Sequence, residues 1–318
     1  WTKFSQQPRN ICNHKRLTAH VKASICLMII FLLVASSGSA QDSAAASGGG
    51  KLRSDDTTAL HHPLLDSHWI DSLPAQSFDT LRHLPNMAFA AGESLKYDVK
   101  FGFIDAGDAV LSVSDTMLAN ARKCYKVNFK VDSKPFFNWI FKVSDRYWTV
   151  IDASGIFPWR FEQHVREGGY RRDFTANFNQ VTHTALTSEK NFAIPPYVHD
   201  IMSAFYYCRT IDYSGFKPGQ NIHLQNFYKD STYELDVKYL GRQQVEVPAG
   251  KFNCIVIEPL AKAGGLIKSE GKLYLWLTDD DRKMPVKVSS KISIGSIDSD
   301  LIEFKGLNGP LPAMVHDN

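Results

Sequence analysis

Single apolar and polar residues alternate along several short stretches of the chain between residues 92 and 306. The clearest of these stretches span residues 94–101, 125–132, 234–239 and 286–292. A period of two is typical of a β-strand with one buried and one solvated face, which is common in antiparallel sheets. We expect about ten to twelve such strands, which is too many for a sheet that stays flat.

The Gly168-Gly169 pair marks the clearest turn. Strand-like apolar residues precede it from Trp159 and follow it from Tyr170. Two glycines tolerate the positive φ angles of a tight hairpin turn. The sequence therefore predicts a hairpin at this position.

Two segments do not follow the period of two. Residues 135–143 are rich in aromatic side chains and predict either a short helix or an aromatic-rich turn. After Pro195-Pro196, apolar residues recur at helical spacing over residues 197–211, which predicts one amphipathic helix with proline at its start. Such a helix must bury its apolar stripe against the dry face of the sheet. The predicted fold class is mainly β: a large curved antiparallel sheet or partial β-barrel wrapped around this helix.

Residues 1–40 have the composition of a cleavable export signal. Basic residues but no acidic residue precede Asp42, an apolar run covers residues 25–35, and small residues occupy positions 36–40. The run is too short for a transmembrane helix, which needs about twenty residues. We therefore expect a periplasmic protein whose mature chain has no transmembrane span.

The rest of the chain divides into three predicted parts. Residues 41–87 form a flexible arm, because their first ten residues are rich in serine, alanine and glycine. Residues 88–308 form the β domain, and residues 309–318 form a C-terminal tail.

The basic charge of the chain belongs to the signal. The chain has 36 Lys and Arg against 33 Asp and Glu, and five of the basic residues lie in residues 1–40. A nearly neutral mature chain has no electrostatic reason to bind nucleic acid. Cys124, Cys208 and Cys254 remain after the signal, and we expect buried reduced thiols, because an odd number cannot form a complete disulfide framework.

No catalytic motif with suitable spacing occurs in the chain. Nucleophile elbows, zinc-protease helices, phosphate loops and dinucleotide fingerprints are missing. His61, His62 and His68 cluster, but they lack the spaced second pair of a zinc site. The acids of residues 279–281 lack the ligand ladder of a calcium loop. We predict no catalytic residues, no metal site and no cofactor.

Charged and aromatic residues near the predicted helix suggest one ligand site. Uncovered aromatic side chains in a half-closed sheet offer an apolar pocket, and an arginine fork suits an anionic head group. We expect Met202 and Phe205 to line this pocket and Arg209 to meet the head group. The candidate ligand-binding residues are Trp139, Trp159, Arg160, Asp200, Met202, Phe205 and Arg209. Alternatively, the charged members pair with protein groups and tie the helix to the sheet.

Six ordered motifs resemble those of one family. They are GESLKYDVKFG (92–102), FNW with DRY (137–139 and 145–147), FPWRF (157–161), REGGY (166–170), DIMSAFYY (200–207) and WLTDD (276–280). Over residues 88–305 the chain resembles the DUF3108 family of exported bacterial proteins. The resemblance implies a periplasmic curved sheet or partial barrel around a helix, similar in outline to envelope lipoprotein carriers by analogy of fold alone. It implies no activity.

Three functions are compatible with these features. The first is a non-catalytic binding protein for an apolar or amphipathic envelope molecule, with the helix as a lid. The second is a structural or assembly partner of other cell-envelope proteins. The third is an enzyme that acts on glycan or lipid. An open cavity lined by Phe and Trp favours the first, a filled interior the second, and two carboxylates facing each other across a cleft the third.

Overall fold

The computed structural model describes residues 80–117, 122–188, 190–261, 272–292 and 295–316. The predicted export signal, most of the predicted arm and the cluster of His61, His62 and His68 lie outside the described residues. The described part begins in the last residues of the predicted arm and runs through the predicted β domain into the tail.

The described residues contain two helices and fifteen strands, and strands account for most of them. The helices are α1 (Pro135–Asn138) and α2 (Ile201–Arg209). The strands are β1 (Ser94–Phe101), β2 (Ile104–Met117), β3 (Lys123–Ser133), β4 (Ser144–Asp152), β5 (Pro158–Glu167), β6 (Tyr170–Asn179), β7 (Thr184–Thr187), β8 (Asn191–Ala193), β9 (Asn221–Tyr228), β10 (Ser231–Val247), β11 (Gly250–Ala261), β12 (Leu273–Thr278), β13 (Pro285–Ile292), β14 (Gly295–Lys305) and β15 (Met314–Val315). This exceeds the predicted number, because β7, β8 and β15 are too short for alternation to reveal them.

All fifteen strands belong to one antiparallel sheet. Its order is β8-β7-β6-β5-β4-β3-β2-β1-β14-β13-β12-β11-β10-β9, and β15 pairs with β11. Neighbours in the sheet are neighbours in the chain except at β1 and β14, whose register runs from Ser94 opposite Lys305 to Phe101 opposite Ile297. The β1–β14 ladder therefore joins two meanders, β1–β8 and β9–β14, into one sheet.

The sheet is not closed, and β8 and β9 are its two ends. One isolated parallel bridge reaches β9 from the segment after β8. The His199 amide donates to the Gln225 carbonyl at 2.9 Å, and the Phe227 amide donates to the His199 carbonyl at 2.8 Å. Phe178 of β6 also meets Phe227 edge to face, with ring centroids 5.8 Å apart. The sheet therefore curves enough to bring its two ends near each other.

The predicted alternation and the predicted hairpin are confirmed. In β1, Leu95, Tyr97 and Val99 are buried while their neighbours are half-buried. At the β5–β6 turn, Glu167 pairs with Tyr170, and Gly168 has a φ of +56°. A side chain at residue 168 would also collide with the Phe141 ring, so this position requires glycine for two reasons.

Helix α2 is shorter than the predicted segment 197–211. It begins at Ile201 because the Asp200 carboxylate caps it, accepting from the amides of Met202 at 2.8 Å and Ser203 at 3.0 Å. The expectation that proline starts the helix is wrong, since Tyr197 has a left-handed φ of +56° that separates the prolines from the helix. The helix ends at Arg209, where the Thr210 hydroxyl donates to the Tyr207 carbonyl at 2.8 Å.

Almost the whole surface of α2 is covered by protein. Its buried residues are Met202, Ser203, Ala204, Phe205, Tyr206, Cys208 and Arg209. The helix lies against β4 and β9, and its apolar residues belong to the main hydrophobic core. A helix buried on nearly all sides has no solvent-exposed face, so α2 is buried more completely than an amphipathic helix would be.

Arg209, at the end of α2, forms a fully buried ion pair with Glu93, which lies just before β1. Its two terminal nitrogens lie 2.7 Å from the two carboxylate oxygens of Glu93. The same guanidinium donates to the carbonyls of Ala88, Arg282 and Lys283 at 3.2 Å each. These contacts tie the helix to the start of β1 and to the β12–β13 connection.

The three cysteines of the described residues are free and buried, as predicted. Burial raises the pKa of the Cys208 and Cys254 thiols to about 12. A thiol that stays protonated is a poor nucleophile and a poor metal ligand. These cysteines therefore act as small core residues.

Removal of Arg209 should destabilise the protein strongly. We expect Arg209→Met to lower the free energy of unfolding by about 3–5 kcal/mol, because it leaves the Glu93 carboxylate buried without a counter-charge. Adding Glu93→Leu should restore part of the loss. The exposed pair Lys96–Glu303 is the control, and Lys96→Met should cost less than about 1 kcal/mol. Urea denaturation measures all four proteins, and equal losses from Arg209→Met and Lys96→Met would contradict the expectation.

Candidate functional site

The predicted ligand-binding residues do not form one site. Met202 and Phe205 are buried in the main core. Asp200 is buried as the helix cap and accepts a further hydrogen bond from the Thr149 hydroxyl at 2.7 Å. The expectation that Arg209 meets a ligand head group does not hold in this structure, because Glu93 and backbone carbonyls occupy its donors. The alternative, in which charged residues tie the helix to the sheet, describes Asp200 and Arg209 better.

Trp159 and Arg160 lie on β5. The Thr149 hydroxyl is within hydrogen-bond distance of both the Arg160 carbonyl and the Asp200 carboxylate at the start of α2. Trp159 is buried in a second, smaller apolar cluster with Cys124 and Phe157, and its indole donates to the Asp152 carboxylate at 3.0 Å. Arg160 donates from Nε to Glu162 at 3.0 Å, and its guanidinium lies over the Trp148 ring at 5.2 Å. Neither side chain lines the same space as Met202 and Phe205.

The remaining candidate, Trp139, belongs to a group of exposed apolar side chains at one end of the sheet. The members of this group, which we call the apolar end, are Phe103, Phe136, Trp139, Ile140 and Tyr170. They lie on the connections β1–β2, β3–β4 and β5–β6. The structure brings these connections together: the Lys134 amide donates to the Ala106 carbonyl at 3.0 Å, and the Gly168 amide donates to the Lys142 carbonyl at 2.7 Å.

An apolar pocket lies directly beneath the apolar end. Its volume is about 20 Å³, which is room for little more than one water molecule. Its apolar lining consists of Val99, Phe101, Ala106, Val131, Phe137, Val143 and Ile297. Phe137 is the one buried residue of α1, whose neighbour Phe136 points to solvent. One side chain of a four-residue helix therefore closes this pocket.

Two buried carboxyl groups lie inside the sheet near this pocket. Asp145 and Glu167 are both buried. Burial raises the pKa of Asp145, and the Arg166 amide donates to its Oδ1 at 2.8 Å. Both carboxyl groups lie within packed protein rather than across a cleft from each other. This arrangement does not offer them to a substrate.

A larger and more polar cleft, of about 440 Å³, lies beside the start of α2. Its lining includes Arg82, Tyr197, Tyr207 and the pair of His223 with Asp236, in which Nδ1 and Oδ1 are 2.6 Å apart. The Arg82 guanidinium covers the Tyr197 ring at 4.6 Å and the Tyr207 ring at 4.9 Å. Among the described residues, this lining has no aliphatic hydroxyl or thiol that His223 could activate, and His199 contacts the buried Ser203 hydroxyl at 3.1 Å behind it.

Two adjacent buried groups at this cleft have shifted pKa values in opposite senses. Burial, together with the positive charge of Arg82, lowers the pKa of His199 to about 3. Burial raises the pKa of Asp200 to about 6, although backbone amides and the Thr149 hydroxyl favour its charged form. Both shifts favour neutral side chains in the folded protein. Asp200 also caps α2, and the backbone of His199 bridges to β9, so both residues hold the start of α2 in place.

Metal and membrane sites can be judged only for the described part of the chain. No group of three or more His, Cys, Asp or Glu side chains is placed there to hold a metal ion. No helix among the described residues is long and apolar enough to cross a membrane.

Two residues were not identified from the sequence: Phe103 at the apolar end and Glu93, the partner of Arg209. Phe103 was missed because it follows Gly102 in a turn, where polar residues are usual. A large apolar residue in a two-residue turn is itself the signal that could have found it. Glu93 was missed as the partner of Arg209, because 116 positions separate the two residues and no local pattern links them.

Comparison with protein families gives one match. The model of a family described as "Protein of unknown function (DUF3108)" matches residues 96–302. The match covers most of β1, all strands from β2 to β13 and most of β14, and it agrees with the resemblance found in the sequence motifs. No curated protein sequence matches the chain.

Solved structures show weak similarity. A β-barrel-like protein of the DUF1849 family from Brucella abortus has a TM-score of 0.48 at 12% identity, covering 69% of this chain and 98% of its own. A protein named as exported with a YmcC-like fold, from Bacteroides fragilis, has a TM-score of 0.29 at 13% identity, covering 70% and 99%. A protein named as a lipoprotein, from Parabacteroides distasonis, has a TM-score of 0.32 at 9% identity, covering 70% and 100%.

The buried His199 should make the protein sensitive to acid. The unfolded chain binds a proton at this histidine below about pH 6.5, whereas the folded protein does not until about pH 3, so stability falls as the pH falls through this window. From pH 6.5 to pH 5 this histidine alone should cost about 2 kcal/mol. The raised pKa of Asp200 opposes part of this loss, so the effect of His199 is the difference between the unmutated protein and His199→Gln. We expect His199→Gln to remove this loss and the exposed-site control His316→Gln to retain it. Urea denaturation at both pH values measures it, and an unchanged slope in His199→Gln would contradict the assignment.

Proposed function

The chain belongs to the DUF3108 family, and we propose that it is an exported, periplasmic, non-catalytic protein that binds an apolar or amphipathic molecule of the cell envelope. The observation that carries the proposal is the apolar pocket beneath exposed apolar side chains, closed by Phe137 of α1. The interior next to α2 is filled with side chains, so the expected lid role passes from α2 to α1.

Helix α1 is held loosely compared with α2. It has four residues, no side-chain cap at its start and one buried side chain, Phe137. Its other ties are local, since the Asn138 amide donates to the Lys134 carbonyl at 2.9 Å and its side chain contacts Ser133 at 2.5 Å. Helix α2, in contrast, is fixed at both ends by buried charged groups. Motion of α1 therefore breaks few long-range contacts.

The energy of opening is within reach of a small apolar ligand. Exposing the Phe137 ring to water costs about 1.5–3 kcal/mol, and each methylene group that a ligand buries returns about 0.8 kcal/mol. About four methylene groups therefore offset the displacement of the ring. An acyl or prenyl chain supplies more than this number, whereas a small polar metabolite does not.

The lining of the pocket does not favour an anionic head group. Its charged residue is Asp132, which pairs with Arg146 through two hydrogen bonds of 2.8 and 3.0 Å. Since no cation lines the pocket, a fatty acid and a fatty alcohol of equal length should bind with similar affinity. This differs from the preference for anions that a ligand-facing Arg209 would have created.

An assembly role is the second candidate, and one observation favours it. Strand β9 pairs with β10 on one side, while its other side meets only the short bridge at His199 among the described residues. The outer edge of residues 221–224 could therefore accept a strand from another envelope protein. Pull-down experiments with variants of the pocket residues and variants of residues 221–224 separate the two candidates, because only the assembly role depends on the edge of β9.

Enlarging the pocket should strengthen binding of an apolar chain. We expect the unmutated protein to bind fluorescent fatty acid and fatty alcohol probes of equal length about equally. Phe137→Ala should bind both about tenfold or more tightly, because the ring no longer has to be displaced. Fluorescence titration with each probe measures the affinities.

The matched control is Phe178→Ala. It removes a buried ring of the same size that lies outside the pocket, so it should destabilise the protein by about 3–5 kcal/mol without tightening binding. If neither the unmutated protein nor Phe137→Ala binds a probe saturably, the proposal fails and the assembly role becomes the better one.

A further inference from the structure

The apolar end exposes more aromatic surface than closing the pocket requires. Phe103 is 97% exposed, Trp139 is 89% exposed and Phe136 is 73% exposed. None of the three belongs to the hydrophobic core or lines the pocket. Single exposed apolar residues are ordinary, but large ones grouped on neighbouring loops mark an interaction surface.

These side chains project from the tips of connections rather than from the face of the sheet. Phe103 is in the β1–β2 turn, and Phe136 and Trp139 are in the β3–β4 connection, next to the β5–β6 turn with its half-exposed Tyr170. The exposed rings therefore lie at loop tips at this end of the sheet. Protruding rings of Trp, Tyr and Phe suit a soft apolar medium that can close around them.

Cations and acids are placed unevenly around these tips. Beside the β1–β2 tip, Lys134 is shared by the three acids Asp98, Asp105 and Asp108, and Arg166 pairs with Asp173 near the β5–β6 turn. In contrast, Lys142 and Arg171 are exposed and form no ion pair with a described residue. These two exposed cations beside the exposed rings are therefore accessible to an anionic surface.

The neighbouring β9–β10 turn continues this pattern. Arg172 and Lys229 lie over the Tyr228 ring, with their charged groups 4.8 and 5.7 Å from its centre. The acid of this turn, Asp230, is exposed and opposes these cations. Among the described residues, Lys142, Arg171, Arg172 and Lys229 therefore place four cations beside α1 and the β5–β6 and β9–β10 turns.

We propose that the apolar end docks on the surface of an anionic lipid bilayer, with Phe103 and Trp139 entering the headgroup region. Burial of the rings supplies the apolar part of the attraction, and the four cations supply the electrostatic part, which salt weakens. The β1–β2 and β3–β4 tips touch the membrane, and the sheet stands on it with the α2 end directed away.

The docking surface consists of other residues than the pocket lining, so membrane docking is a property beyond the proposed ligand binding. It holds whether or not a chain enters beneath Phe137. If both hold, the mouth of the pocket opens at the membrane surface, where an apolar chain can pass between the bilayer and the protein without crossing water.

Co-sedimentation with lipid vesicles tests the proposal. We expect the purified protein to bind phosphatidylcholine vesicles that contain phosphatidylglycerol, and to bind pure phosphatidylcholine vesicles more weakly. Phe103→Ser/Trp139→Ser should lower the affinity by about tenfold or more, because two aromatic rings no longer leave water. Lys142→Glu/Arg171→Glu should remove most of the preference for phosphatidylglycerol and most of the effect of salt.

Matched controls come from the opposite end of the sheet. Met87 is 58% exposed beside Asn308, and Lys305 is exposed at the end of β14. Met87→Ser and Lys305→Glu should leave vesicle binding unchanged. Urea denaturation of every variant checks that the fold is retained, since all six substituted sites are exposed.

Quenching by brominated lipid distinguishes insertion from adhesion. Tryptophan fluorescence of the bound protein should fall with brominated lipid, and Trp139→Phe, which keeps an apolar ring, should bind but lose most of the quenching. Vesicle binding that the Phe103/Trp139 double variant leaves unchanged would overturn the proposal. The proposal would also be overturned if the unmutated protein failed to bind anionic vesicles while the apolar end bound a protein partner.

Discussion

The buried ion pair of Arg209 with Glu93 is the constraint on which the interior of this protein depends. A guanidinium without water must find its counter-charge and its remaining acceptors inside the protein. Glu93 and three backbone carbonyls meet this need, and they come from the start of β1 and from the β12–β13 connection. The end of α2 therefore has one possible position relative to both meanders.

The other end of α2 is fixed by the same kind of interaction. Asp200 caps the helix and accepts from Thr149 on β4, so a buried polar group again joins the helix to a strand. With both ends fixed, the helix and its neighbours fill this part of the interior. The small apolar pocket lies at the far end, where α1 has a single buried side chain. The position of the candidate pocket is thus a consequence of where the buried charges lie.

The sequence was a good guide to local structure and a poor guide to long-range partners. Alternation predicted β1, β3, β10 and β13, and the glycine pair predicted the β5–β6 hairpin, because both signals reside in neighbouring residues. The bounds of α2 were missed, since the cap at Asp200 and the left-handed Tyr197 depend on the surrounding strands. No local pattern pairs β1 with β14, or Glu93 with Arg209.

The residues of the candidate site were likewise predicted only where local sequence decides their exposure. Trp139 was selected for its aromatic surroundings and does lie at the apolar end, but Trp159, Met202 and Phe205 were selected for the same reason and lie in the core. Strand register decides which aromatic side chains face solvent, and single residues do not reveal register. Phe103 is the opposite case, because its place in a two-residue turn between strands makes its exposure readable from the sequence.

The pairing of β1 with β14 has a consequence for the time at which the fold can be completed. The second edge of β1 cannot be paired until β14, about two hundred residues later in the chain, is available. Until then, the first meander presents β1 as an open apolar edge, which is the kind of surface on which unfinished chains aggregate. A nascent chain therefore has to be kept apart from its own copies until its C-terminal strands have been synthesised.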